Sequence, residues 1–191
     1  MITTTHILLN TALLGRKKNP GRNWPLILGS LLPDIPMLFY FLYMLMTHHH
    51  QDGTHWVSLN EYTIRQTWVD WAHSIPLAIS GALLCYFIKN NFGFFFFAAM
   101  VFHDLEDLPL HAEYAHRHFL PLNDFRFFSP ISYVDSRYHG AWVASLEWGL
   151  VLLCIGILWR RGLKPWLQIP LLFLGIFQGL WLIYFYGGIH W

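Results

Sequence analysis

Residues 92–108 read Phe92-Gly-Phe-Phe-Phe-Phe-Ala-Ala-Met-Val-Phe-His-Asp-Leu-Glu-Asp-Leu108. An apolar stretch from Phe92 to Phe102 runs directly into His103, Asp104, Glu106 and Asp107. A helix apolar on every side has no face for water, so it is buried in protein or in lipid. Composition decides between the two. Of 191 residues, 55% are hydrophobic and 12% charged, about half the charged share of a soluble domain. One domain of this length cannot hide that much apolar surface, whereas a bilayer can face it directly. The formal net charge of +1 gives no footprint for nucleic acid. Cys85 and Cys154 sit inside apolar runs without metal-binding spacing and read as packing residues, which leaves the redox compartment open.

Other runs flank this one. Trp24–Met46, His73–Lys89, Gly140–Trp159 and Pro165–Tyr186 each approach the roughly 20 residues of a spanning helix. Met1–Gly15 is shorter and reads as a short spanning or re-entrant helix. Its positive charges follow the apolar stretch, unlike those of a signal peptide. The pattern predicts an all-α, polytopic membrane bundle of five to six helices forming one domain over residues 1–191. Arg16, Lys17, Lys18 and Arg22, then Lys89, then Arg160, Arg161 and Lys164 fall in short connections on one side. The positive-inside rule makes that side cytoplasmic. The longer connections Thr47–Ala72 and Pro109–His139 then face outward, with both termini. The stretch 109–139 is too rich in aromatics and paired charges for a flexible linker, and is expected to be an ordered loop folded over the helices.

Ionisable residues at membrane depth are costly and mark functional sites. Asp34 lies in Leu-Leu-Pro-Asp-Ile-Pro, with Pro33 and Pro36 interrupting its helix. His103 and Asp107 are four apart and share a helical face, a register in which two side chains grip one ion. With Asp104 and Glu106 they put three carboxylates at a helix C-terminus, against its dipole. A divalent cation would compensate them. His6 and His73 also fall at outer segment ends, so imidazole and carboxylate converge on one side as a mixed N/O site suited to zinc. Glu147 and His139, eight apart, are candidates for a second ion. Arg117 and Arg126 are candidates for holding a substrate phosphate, with surface salt bridges the alternative. His48–His50 and His55, among Gln, Asp and Gly, read as a solvated loop.

The combination of Thr-His at the N-terminus, Leu-Leu-Pro-Asp-Ile, Ala-His-Ser and His-x-x-x-Asp closing an apolar helix resembles the bacterial membrane-bound metal-dependent hydrolases. These are inner-membrane proteins with a ligand pattern like that of zinc-dependent phospholipase C. The resemblance covers roughly the first 125 residues. It implies His6, Asp34, His73, His103 and Asp107 as metal ligands, and His111 as the histidine that follows the His-x-x-x-Asp motif. The phospholipase's final His-x-x-x-Glu has no match, so one or two ions are expected, zinc first among them. The function expected is hydrolysis of a phosphoester in a membrane lipid or other amphiphile, at an outward-facing site of a multi-pass inner-membrane protein. Asp34 is then ligand or general base, and Asp104 or Glu106 a base beside the ligands. The competing class is a metal-stabilised scaffold or assembly factor with a protein partner. An ion or proton transporter comes third, because most of the ionisable residues cluster at one end.

Overall fold

The computed structural model describes residues 1–16, 20–46, 59–112, 115–162 and 165–186. The His48–His50 and His55 loop and Lys17, Lys18 and Lys164 lie outside them. The fold is all-helical, with no strand among the described residues. Its helices are α1 (Thr3–Leu14), α2 (Asn23–Leu31), α3 (Ile35–Met46), α4 (Leu59–Ala72), α5 (Ile75–Phe87), α6 (Asn91–Asp107), α7 (Gly140–Arg160) and α8 (Pro165–Tyr186).

Local chemistry sets the boundaries. Pro33 cannot donate in the helical ladder, and the chain tightens into a 3₁₀ turn over Leu32–Asp34 between α2 and α3. That break sets Asp34 between the two helices. Ser74 caps α5 by accepting from the Leu77 N–H (3.3 Å), and Asn90 caps α6 by accepting from the Gly93 N–H (3.0 Å). Lys89 takes a left-handed φ of 58° in the turn between them.

Packing runs α5 on α6, α6 on α2, α2 on α1, α1 on α7 and α7 on α8. The α2–α6 approach is close. A Cβ at Gly29 would stand 2.0 Å from the Phe96 carbonyl oxygen, so only glycine fits there. A small apolar core joins Leu8 and Ala12 of α1 to Val151, Cys154, Ile155 and Leu158 of α7. Both cysteines are free and buried. Beside this core the interior is polar. Thr5, His6, Asn10, Ser30, Asp70, His73, His103, Asp104 and Asp107 are all essentially inaccessible. Large apolar side chains such as Leu84, Phe87, Leu146, Leu153, Phe173 and Ile183 are exposed on the outside.

Element lengths differ from the apolar runs. Among the described residues one helix, Gly140–Arg160, is long and apolar enough to cross a membrane, and the apolar stretch Ile169–Tyr184 of α8 is shorter. α5 has 13 residues and α6 has 17, rises of about 20 and 26 Å against a hydrocarbon core of about 30 Å. Caps, turns and the ionisable end of α6 shorten them. The Thr47–Ala72 connection is not loop throughout, because its last 14 residues form α4. Apolar Trp68 and Val69 alternate there with Gln66 and Asp70, so no apolar run marks the helix. α4 packs on α3 and on the 3₁₀ turn, and so delivers His73 to Asp34.

Candidate metal centre

Four helix ends meet at one place: the start of α1, the 3₁₀ turn after α2, the end of α4 and the end of α6. His73 Nδ1 donates to the Val69 carbonyl (2.8 Å) and His103 Nδ1 to the Ser30 carbonyl (2.8 Å). In the neutral ring each bond fixes the tautomer, with Nε2 as the bare acceptor. Both Nε2 atoms are buried without a hydrogen-bond partner. Asp34 is oriented in the same way. Its Oδ2 accepts from Thr3 Oγ1 (2.5 Å), which leaves Oδ1 at 3.8 Å from His73 Nε2 and 3.7 Å from His103 Nε2. Asp107 Oδ2 completes the set at 3.8 Å from His73 Nε2 and 3.4 Å from His103 Nε2.

These separations suit a shared divalent ion. Ligand atoms bonded to zinc at 2.0–2.2 Å in a tetrahedron lie about 3.4 Å apart. Hydrogen-bonded neighbours would lie near 2.9 Å. The four atoms are within 4.8 Å of one another, the reach of a single ion. Two buried imidazole acceptors facing two carboxylates have no donor to satisfy them, and a divalent cation answers all four. The residues fit a bound metal.

Asp107 also faces a second group. Its Oδ1 meets His6 Nε2 (3.0 Å) and the Met1 ammonium, and lies 3.9 Å from His111 Nδ1. Asp107, His111 and His116 form another set within one ion's reach. Asp107 therefore belongs to both sets. Burial pushes the His111 and His118 imidazoles down to about 4 and His116 well below its ordinary value, so all three are neutral at pH 7, the state in which imidazole ligates.

The expected ligands are thus brought together, with differences of role. His6 lies in neither set of four or three. It stacks on the His103 ring at 3.7 Å, and its Nδ1 meets Glu106 Oε2 at 2.7 Å. Glu106 is therefore placed to orient an imidazole. Asp104 is fully buried, with both oxygens unpartnered. His139 and Glu147 do not meet. Eight residues advance a helix about 12 Å. His139 is exposed in a left-handed conformation before α7, whereas Glu147 Oε1 accepts from the Ile2 N–H (2.7 Å) and Thr5 Oγ1 (2.6 Å). No ligand group among the described residues contains either.

Arg117 and Arg126 are both engaged by buried Asp70, through Arg117 Nε (2.6 Å) and Arg126 Nη2 (2.8 Å). Arg117 also reaches Asp124, and Arg126 the Ala115 carbonyl. Burial opposes the charge on Asp70, but bonds from His116, Arg117 and Gln66 hold it below the usual carboxylate range. The salt-bridge reading therefore describes these arginines, and the network ties the loop to α4. That tie places two residues the sequence reading did not single out. His116 stacks on His73 at 4.2 Å, and His118 Nδ1 donates to the His73 carbonyl (3.2 Å). Their one signal is the alternation His-Arg-His, which in extended chain puts both on one face.

Comparison with family models, curated proteins and solved structures finds no match for the chain.

Proposed function

We propose that the chain is a multi-pass helical membrane protein whose His/Asp cluster binds one or two divalent ions, zinc first among them, and hydrolyses a phosphoester of a lipid or other amphiphile. The observation that carries this reading is the pair of buried, unpartnered Nε2 atoms of His73 and His103 opposite Asp34 and Asp107. The membrane part rests on the inverted distribution of polarity. Buried side chains at the helix ends are charged, while Leu84, Phe87, Leu153 and Phe173 face outward.

Asp34, His73, His103 and Asp107 would hold the first ion, and Asp107, His111 and His116 the second. When bound, such ions polarise a phosphoryl oxygen and acidify a water. The chain supplies the rest. Asp34 is the exposed member of the first set, 23% accessible at its side chain against 0–2% for the others, so substrate reaches the cluster past it. The Asp104 carboxylate, buried and unpartnered, would take the proton of the attacking water and pass it to the departing alkoxide as the ester P–O bond breaks. Glu106 and the Ser30 and Val69 carbonyls hold the imidazoles in register.

The test is turnover of metal-replete protein on phosphodiester and phospholipid substrates, read beside metal content. Asp104→Asn is expected to lower turnover by about 100-fold or more, the usual share of a general base, while metal content stays near wild type. Wild-type protein that carries its full metal but turns over no phosphoester would end the hydrolase reading and leave a structural centre.

A further inference from the structure

At the opposite end of the bundle lies a feature the metal chemistry does not use. A cavity of about 430 Å³ opens between the α1–α2 connection and the first turn of α6, lined by Arg16, Arg22, Pro25, Asn91, Phe92 and Phe95. Phe95 is 12 residues before Asp107, about 18 Å along α6, so this cavity is separate from the His/Asp cluster.

Its charge is one-sided. Two guanidinium groups line it without any carboxylate among the lining residues. Neither arginine forms an ion pair among the described residues. Arg22 is held in place by its stacking over the Phe95 ring, 3.7 Å from the centroid. Its Nε is buried and has no hydrogen-bond partner. Partial burial and the neighbouring Arg16 charge both push the Arg22 guanidinium below its usual range. Two like charges held together, one with an orphaned donor, are relieved by an anion. A guanidinium fork matches the oxygens of a phosphate. Phe92, which lines the opening, is exposed, as is Trp24 next to Pro25 in the chain, and an apolar tail attached to that phosphate would lie along such a surface.

We propose that this cavity binds a phosphate group, that of an anionic phospholipid headgroup, through Arg16 and Arg22. A soluble phosphate offers the same chemistry without the tail, and the experiment separates the two.

Native mass spectrometry of the full chain in detergent, titrated with phosphatidylglycerol, phosphatidylcholine or inorganic phosphate, reads the site directly. Phosphatidylglycerol is expected to bind in preference to phosphatidylcholine. Arg16→Gln/Arg22→Gln should weaken it by about tenfold or more. Arg22→Lys, which keeps the charge but loses the fork, should fall between. Chelator-treated wild type should bind phosphatidylglycerol as the metal-replete protein does, which separates this site from the cluster and from the function proposed for it. Displacement of the lipid by millimolar inorganic phosphate would assign the cavity to a soluble phosphate. Equal binding of both lipids, undiminished binding by the double variant, or loss of binding on chelation would overturn the proposal.

Discussion

The ring nitrogens of His73 and His103 carry the cluster's chemistry, because each ring has Nδ1 committed to a backbone carbonyl and Nε2 left over. Replacing His103 and Asp107 together by alanine removes the 3.4 Å pair of that set, and purified protein is expected to lose most of its metal by elemental analysis. His139→Ala, at an exposed position outside the cluster, should lose none. Equal metal in the two variants would place the ion elsewhere. A second consequence concerns protons. In the metal-free protein, burial holds His111 and His118 at about 4 against an ordinary 6.5. Both stay neutral in the fold, while the unfolded chain takes up protons below pH 6.5. Their contribution to stability is complete above 6.5 and is lost as pH falls toward 4. The melting temperature of chelated protein should therefore drop between pH 6.5 and 5, and His118→Asn should flatten that drop. A flat wild-type profile would contradict the burial argument. Much of this was legible in the sequence. Asp34 stands out as a carboxylate inside an apolar run, and His103 with Asp107 by helical register, both of which act locally, whereas His6 and His73 are placed by their segment ends and His111 only by the family resemblance. His116 was not legible, because its place depends on an Asp70 contact between α4 and the loop.

Helices α2 and α6 bring Ser30 to His103 only because Gly29 lets their backbones touch. With the Phe96 carbonyl oxygen 2.0 Å from where a Cβ would sit, Gly29→Ala must push the helices apart and move the Ser30 carbonyl off His103 Nδ1. The expected result is a polydisperse or poorly expressed protein, with metal content reduced in whatever fraction folds. Gly149→Ala and Gly156→Ala, on α7 with nothing within 4 Å of the added atom, should behave as wild type, and as slightly better helix formers. Gly29→Ala with unchanged size-exclusion profile and metal would refute the close-contact account. Sequence showed the apolar runs as helices, since periodicity and length are properties of a single segment. It did not show where α5 and α6 stop, or that α4 exists. Polar α4 owes its helix to packing on α3 and the 3₁₀ turn, a tertiary gain that propensity does not register.

Across the whole molecule, the short basic connections and the candidate ligands lie at opposite ends. Arg161 Nη1 donates to the Gly15 carbonyl (3.2 Å) and Arg22 stands over Phe95. Lys89 lies in the turn just before α6, so Arg16, Arg22, Lys89 and Arg161 share one end. His6, Asp34, His73, His103 and Asp107 occupy the other. In a membrane, an asymmetry of this kind fixes orientation, because short basic connections are retained on the cytoplasmic side. The basic end is then cytoplasmic, and the cluster opens toward the opposite face with the loop around Asn123 above it. Single cysteines at positions 89 and 123, both exposed, test this in a background lacking Cys85 and Cys154. With intact cells and a membrane-impermeant thiol reagent, position 123 should label at once and position 89 only after the membrane is permeabilised. The two native cysteines are buried packing residues, so replacing them by alanine leaves the charge pattern untouched. Labelling of position 89 from outside, with position 123 protected, would invert the orientation and put the cluster at the cytoplasmic face. It would then draw substrate from the inner leaflet, and the arginine-lined cavity would meet the outer one. Labelling of both positions without permeabilisation would mean that the bundle does not span, and the exposed apolar faces of α5, α7 and α8 would need a protein partner to cover them.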